Sequence, residues 1–122
     1  MPTPPKYNAQ MKLAALQREL ERVRAQGHAA LALLPPDEQL MLEVRPMRAN
    51  CAFKILPFVQ DEKQCFIICV NERTCDANPP QQIAAALRHN LLHVCQLVRD
   101  QRASHTRAFV RAAQELEAVD DK

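Results

Sequence analysis

The spacing of apolar residues changes twice along this chain, and those changes limit the folds it can adopt. The first segment follows the three- and four-residue spacing of an amphipathic helix and contains Leu13, Leu16, Leu20 and Val23. Between residues 40 and 70 the apolar residues instead form three short runs rich in branched and aromatic side chains, as in β-strands. From residue 78 the helical spacing returns. We therefore predict an α+β fold with an N-terminal helix, a three-stranded sheet and two C-terminal helices.

Prolines set the predicted boundaries in the first half of the chain. The first helix is predicted over residues 8–33, because Pro35 and Pro36 remove helical hydrogen bonds and disfavour a helical residue before them. The predicted strands cover residues 40–44, 51–56 and 65–70, with a hairpin turn at 60–63. The third strand is apolar on both faces and should be covered on each side, whereas Pro57 places the second strand near an edge.

The second half contains a helix with a well-marked start. Asn78 is a predicted N-cap, Pro79 fits the first helical position and Gln81 fits a capping box. Its apolar stripe consists of Ala84, Leu87, Leu91, Val94 and Val98. Residues 99–107 are polar apart from Ala103 and are predicted to form a turn, with Ser104 as the N-cap of a final helix. That helix is predicted from its apolar residues Phe109, Ala112, Ala113, Leu116 and Val119.

The composition is that of one folded domain. The chain has 122 residues, 48% of them apolar and 25% charged, so we predict a single domain over residues 1–122, with a flexible segment at 1–7 and an acidic tail at 119–122. The single glycine excludes glycine-rich phosphate loops, and a net charge of +2 does not by itself indicate nucleic-acid binding. No apolar run approaches the roughly 18 residues of a membrane helix, so we predict a cytoplasmic protein with no membrane segment.

Five cysteines, an odd number without a secretion signal, indicate reduced thiols rather than a disulfide framework. Cys65 and Cys69 lie in an apolar strand, and their spacing matches no zinc-knuckle pair. We interpret both as buried thiols that pack as small hydrophobic side chains.

Three of the four histidines are spaced as metal ligands would be. His89 and His93 are four residues apart, so on a helix their imidazoles project side by side, on the face opposite the apolar stripe. His105 is the candidate third ligand for Zn²⁺. It would stand about 18 Å from His93 in an unbroken helix, so the predicted turn at 99–107 decides whether the three meet. His28, near the end of the first helix, is expected to be exposed or to pair with the helix dipole.

These residues together resemble the SprT-like zinc metallopeptidases, a family of minimal zincins. The resemblance rests on Ile67-Ile68-Cys69-Val70, on His89-Asn90-Leu91-Leu92-His93 and on Ser104-His105-Thr106-Arg107-Ala108-Phe109. It covers residues 65–118 well and residues 8–60 by element order alone. The resemblance implies that His89, His93 and His105 bind zinc.

The chain departs from that family at two positions. Thr106 follows the third histidine where the family usually has glycine, and Asn90 replaces the glutamate of the family's His-Glu-x-x-His motif. In a zincin that glutamate takes a proton from the metal-bound water, and an amide cannot do so. We therefore predict a zinc site with little or no peptidase activity, either in a natural pseudoenzyme or in a variant of an active parent.

Five arginines surround the histidine motif: Arg88, Arg99, Arg102, Arg107 and Arg111. If the last helix folds back, this basic patch could attract DNA phosphates or an acidic protein segment, and the SprT-like resemblance implies association with DNA-bound proteins. An ordinary solvated helix face explains the same charges.

Two other functions remain open at the level of sequence. One is an active hydrolase whose base is Glu115 or Glu117. The other is a metal-free interaction module in which the helical segment from Leu13 to Val23 docks a partner protein.

Overall fold

A computed structural model describes residues 5–118 and has the predicted α+β architecture. The helices and strands in chain order are α1 (Pro5–Gln26), β1 (Leu40–Arg45), β2 (Phe53–Gln60), β3 (Lys63–Asn71), α2 (Glu72–Ala77), α3 (Pro80–Asp100) and α4 (Arg107–Glu115). Two short 3₁₀ turns, Ala29–Leu31 and Asp37–Gln39, connect α1 to β1. Within residues 5–118, each helix is too short or too polar to cross a membrane.

The three strands form one mixed sheet in the order β1-β3-β2. β1 runs parallel to β3 and β2 runs antiparallel to it, which confirms that the third strand is central and the second lies at an edge. Pro57 does not end β2, which continues to Gln60. A proline can be accommodated there because an edge strand has one side on which its missing N–H is not needed for pairing. The predicted hairpin turn is present, with Asp61 and Glu62 at φ values of 53° and 63°.

Helix α1 begins and ends earlier than the sequence predicts. It starts at Pro5 and stops at Gln26, seven residues before the predicted end at 33, because Gly27 adopts φ +64° and reverses the helical path. Residues 1–4 of the predicted flexible segment and the acidic tail at 119–122 lie outside the described residues.

The apolar stripe of α1 packs inside the protein. Leu16, Leu20 and Val23 are all buried in the main hydrophobic core, and α1 lies against β1. The core also contains Phe66, Ile68 and Val70, alternate residues of β3 that share one face of the sheet. This stripe of α1 is therefore not a free docking surface. A metal-free interaction module would have to bind its partner protein through a different surface.

A short helix that the sequence analysis missed lies between β3 and α3. Its N-cap is Asn71, whose side-chain oxygen accepts a hydrogen bond from the Arg73 N–H at 3.1 Å. Asn78 was predicted to cap α3, and that prediction is wrong. Asn78 is instead the C-cap of α2, and its side-chain nitrogen donates to the Thr74 carbonyl oxygen at 2.9 Å. α3 begins two residues later, at Pro80, so the predicted capping box is absent.

α3 spans the predicted stripe and packs it into the core. Leu87, Leu91 and Val94 are fully buried against the sheet and α1. The helix ends at Asp100, inside the predicted polar gap, and the chain then turns into α4. The N-cap of α4 is Thr106 rather than Ser104, because the Thr106 hydroxyl accepts the Phe109 N–H at 3.2 Å. α4 ends at Glu115, and Val119, predicted as part of it, lies outside the described residues.

Candidate metal centre

Two of the predicted ligands project from the middle of α3. His89 and His93 are one helical turn apart, and the first is buried while the second is partly exposed. The stripe on the same helix anchors it against the sheet, so the two imidazoles sit on a rigid element.

The third predicted ligand reaches them because the chain reverses after α3. Gln101 adopts a left-handed conformation with φ 59° and ψ 21°, and its N–H bonds to the Leu97 carbonyl oxygen. The segment then runs back along α3, and α4 starts after Thr106. This reversal places the exposed His105 beside His89 and His93, as the metal prediction required.

The three imidazoles converge through the same ring atom. The Nε2 atoms of His89 and His93 are 3.1 Å apart, those of His93 and His105 are 3.2 Å apart, and those of His105 and His89 are 3.3 Å apart. The three nitrogens therefore form a nearly equilateral triangle. Among residues 5–118, this group is the one in which three potential ligand atoms lie close enough to hold an ion.

The size of this triangle suits a tetrahedral ion. Nitrogens bound to Zn²⁺ at about 2.0 to 2.1 Å in tetrahedral geometry stand about 3.3 to 3.4 Å from one another. The observed separations of 3.1 to 3.3 Å lie at or slightly below the lower limit of that range, so a small outward movement of the rings would accommodate the ion. Three histidine nitrogens with a fourth position open is the ligand set of catalytic zinc sites.

Hydrogen bonding between the imidazoles accounts less well for the arrangement. A neutral imidazole carries one N–H, which points in the plane of its own ring. Each such hydrogen can therefore form a well-aligned hydrogen bond to only one neighbouring nitrogen. The rings of His89 and His93 are inclined by 80°, and those of His93 and His105 by 57°. A cation at the centre of the triangle would instead interact favourably with all three nitrogens at once.

Gln96 is a site residue that the sequence analysis missed. Its side-chain oxygen lies 2.8 Å from Nδ1 of His93 and accepts the N–H of Ser104 at 3.1 Å. Its amide nitrogen donates to the carbonyl oxygen of Ser104 at 2.8 Å. A sequence signal existed, because a residue three positions after His93 lies on the same face of the helix.

Phe109 forms the apolar side of the cluster. Its ring stacks on His93 with centroids 4.3 Å apart and planes inclined by 14°, and it meets His89 edge to face at 5.0 Å. His105 contacts the same ring at 5.2 Å. The sequence analysis placed Phe109 only in the apolar face of the last helix, because the ring contacts depend on how α4 docks.

Asn90 is buried in α3 next to the first ligand. Its Nδ2 donates to the Ala86 carbonyl oxygen at 2.8 Å, so the amide nitrogen is bound to the preceding turn of its own helix. An amide does not accept a proton near neutral pH, so this residue cannot act as a general base.

The five arginines do not form one patch with a shared role. Arg88 turns inward, where it donates to the Glu19 carboxylate at 2.7 Å and to the Glu117 carbonyl oxygen at 3.0 Å. Arg99 is exposed and pairs with the neighbouring Asp100 at 3.0 Å. The remaining three, Arg102, Arg107 and Arg111, are exposed.

Neither alternative catalytic carboxylate is part of the group of potential metal ligands. Glu115 is exposed, and its carboxylate is 3.4 Å from Nε2 of His28. Glu117 is exposed and follows α4 at φ 55°. His28 does not sit at the end of α1 as expected; it caps the first 3₁₀ turn by accepting the Ala30 N–H at 3.0 Å.

Cys65 and Cys69 pack as predicted. Cys65 and Cys69 are buried in β3, and all five cysteines are free thiols. Cys95, two residues after His93, is buried in the core on another face of α3, and burial raises the pKa of its thiol to about 11. Such a thiol stays protonated near neutral pH and is a poor metal ligand.

Comparison of the chain with protein-family models, with curated proteins and with solved structures gave no match.

Proposed function

We propose that this protein binds one Zn²⁺ ion through His89, His93 and His105, in a domain related to the SprT-like metallopeptidases. The observation that carries the proposal is the triangle of three Nε2 atoms at 3.1 to 3.3 Å, brought together from α3 and from the turn that follows it. Imidazole nitrogens with no carboxylate among the ligands suit zinc better than magnesium or calcium, which prefer oxygen.

We further propose that the site hydrolyses peptides poorly. Bound zinc would polarise a carbonyl group and lower the pKa of a water in its open position. Asn90 occupies the position where the resembled family has its general base, and general-base catalysis supplies about 10²- to 10⁴-fold in rate. Glu115 does not replace it, because its carboxylate lies beside His28 instead. The proposed role is therefore recognition of a protein or peptide rather than its efficient cleavage.

The proposed setting is the cytoplasm, where the five free thiols would stay reduced. Association with DNA or an acidic protein segment would use Arg102, Arg107 and Arg111, which are exposed on and next to α4. Arg88 would contribute little, since its guanidinium group is bound to Glu19.

Metal content tests the zinc site directly. Protein purified without chelator and then incubated with excess zinc is desalted and analysed for zinc, copper, nickel and iron. We expect about one zinc per chain in the wild type and a loss of that zinc in His93→Ala. A folded wild-type protein that retains no metal would remove the proposal.

The role of Asn90 is tested by a pair of variants that differ only in the ability to take a proton. Asn90→Glu supplies the missing carboxylate, while Asn90→Gln has the same size and no base. In zinc-loaded protein we expect no measurable casein hydrolysis for the wild type and Asn90→Gln, and a gain for Asn90→Glu. Circular dichroism checks that each variant is folded, because residue 90 is buried. Equal turnover in the wild type and Asn90→Glu would show that the amide is not the decisive deficiency.

A further inference from the structure

Gln96 joins the two segments that carry the ligands. We propose that Gln96 is the positioning residue of the metal centre: its amide fixes the proton of the His93 ring and holds the Ser104 backbone so that His105 completes the cluster. This inference rests on the proposed zinc site and adds the residue that prepares the site before the ion binds.

The orientation of the Gln96 amide follows from the backbone of Ser104. The Ser104 N–H can only donate and lies 3.1 Å from the side-chain oxygen of Gln96. The Ser104 carbonyl can only accept and lies 2.8 Å from the side-chain nitrogen. Rotating the amide by 180° would set donor against donor and acceptor against acceptor, so the two backbone groups determine which atom is the oxygen.

That orientation in turn determines the tautomer of His93. The Gln96 oxygen lies 2.8 Å from Nδ1 of His93, and an amide oxygen cannot donate a hydrogen bond. Nδ1 of His93 therefore carries the proton. A neutral imidazole has one N–H, so Nε2 is left with its lone pair, directed at the Nε2 atoms of the other two histidines. This is the form in which imidazole binds a metal.

The same amide holds the segment that presents His105. Ser104 immediately precedes this ligand, and two hydrogen bonds tie it to a residue eight positions earlier on α3. Gln96 is only 6% exposed, so water competes weakly for these bonds. A ligand that is already in place loses less conformational entropy when the ion binds, which raises affinity.

Zinc affinity is the first test, measured by competition with a chromophoric chelator. We compare the wild type with Gln96→Ala and with the control Gln114→Ala, which removes an exposed glutamine from α4. We expect Gln96→Ala to bind zinc about 10- to 100-fold more weakly, as is typical when a residue that orients a ligand is removed. The control should bind as the wild type does.

A second variant separates the two functions of the amide. Gln96→Glu can still accept the hydrogen bond from His93 but cannot donate to the Ser104 carbonyl. In metal-free protein, ¹⁵N chemical shifts report the His93 tautomer, and amide hydrogen exchange reports the order of Ser104. We expect Gln96→Glu to keep the Nδ1–H tautomer while Ser104 exchanges faster, and Gln96→Ala to lose both.

The outcomes distinguish this inference from the zinc site itself. A folded Gln96→Ala with wild-type zinc affinity and an unchanged His93 tautomer would overturn the role of Gln96 and leave the zinc site standing. A wild-type protein that binds no zinc would overturn the site. If Gln96→Ala does not fold, Gln96→Glu decides: retention of the wild-type exchange rate at Ser104 would refute the tether.

Discussion

Zinc should raise the melting temperature of this protein, and His105→Ala should remove most of that rise. The other two ligands lie on α3, whereas His105 lies in the turn before α4. In the wild type a bound ion would therefore tie α3 to the segment that follows it. In His105→Ala two ligands remain on one helix, and the ion no longer joins separate parts of the fold.

The size of the effect follows from mass action. An ion that binds only the folded state at a free concentration 100 times its dissociation constant stabilises that state by about 2.7 kcal/mol. For a chain of 122 residues, 1 kcal/mol corresponds to a rise of about 4 °C in melting temperature, so the expected rise is about 11 °C. Binding of zinc to the histidines of the unfolded chain would reduce the expected rise in melting temperature.

The assay compares thermal unfolding with zinc and with chelator, followed by circular dichroism. His28→Ala is the matched control, because it removes a histidine outside the cluster. That variant loses a capping hydrogen bond to Ala30 and can melt earlier in both conditions, but the difference between zinc and chelator should equal that of the wild type.

Two results would refute the reasoning. The first is a zinc-induced rise in His105→Ala as large as in the wild type, since the third ligand would then contribute nothing. The second is an equal loss of the rise in His28→Ala, since zinc would then be binding to surface histidines in general rather than to the cluster.

Three further predictions concern the fold around the centre. Burial acts to raise the pKa of Glu19, but hydrogen bonds from Arg22 and Arg88 outweigh it and hold the pKa below its usual 4.5. The stability from this pairing is therefore present above pH 4.5 and lost as the pH falls below it. Below that pH, urea unfolding should show a steeper loss of stability for the wild type than for Glu19→Gln. Parallel stability profiles for the two proteins would contradict this prediction. Gln101→Gly should raise the melting temperature by about 2 to 4 °C, because glycine avoids a left-handed cost of about 1 to 2 kcal/mol at this position and loses only about 0.5 to 1 kcal/mol more backbone entropy on folding; a lower melting temperature would contradict the strain argument. The buried Cys95 thiol, with its pKa raised to about 11, should react with iodoacetamide at pH 8 much more slowly in folded than in urea-unfolded protein, as followed by mass spectrometry; equal rates would show that it is accessible.

The local patterns in the sequence were reliable where one element settles the structure by itself. The apolar stripe of α3 is buried as its spacing predicts, and the same spacing puts His89 and His93 on one face. The residues of β3 are apolar on both faces, as expected for the central strand of the sheet. These features depend on residues within a few positions of one another.

The predicted helix boundaries were less reliable because several residues can each begin or end the same helix. Gly27 ends α1 before the prolines do, although the prolines were the predicted terminators, because glycine readily adopts the left-handed conformation that follows the last helical turn. Asn71 and Asn78 are both good N-caps, and the chain uses the first to start α2, while α3 starts at Pro80. The choice depends on side-chain partners distant in sequence: Asn71 also donates to the carbonyl oxygens of Arg48 and Cys51.

The sequence by itself determined the type of each main element and the pairing of two histidines on one helical face, because periodicity is a property of neighbouring residues. Only the tertiary structure decided that His105 joins them and that Arg88 turns inward to Glu19. Both outcomes depend on contacts between segments far apart in the chain. The chain reversal that brings in the third imidazole contains the left-handed Gln101 and the hydrogen bonds between Gln96 and Ser104, neither of which leaves a periodic signal in the sequence.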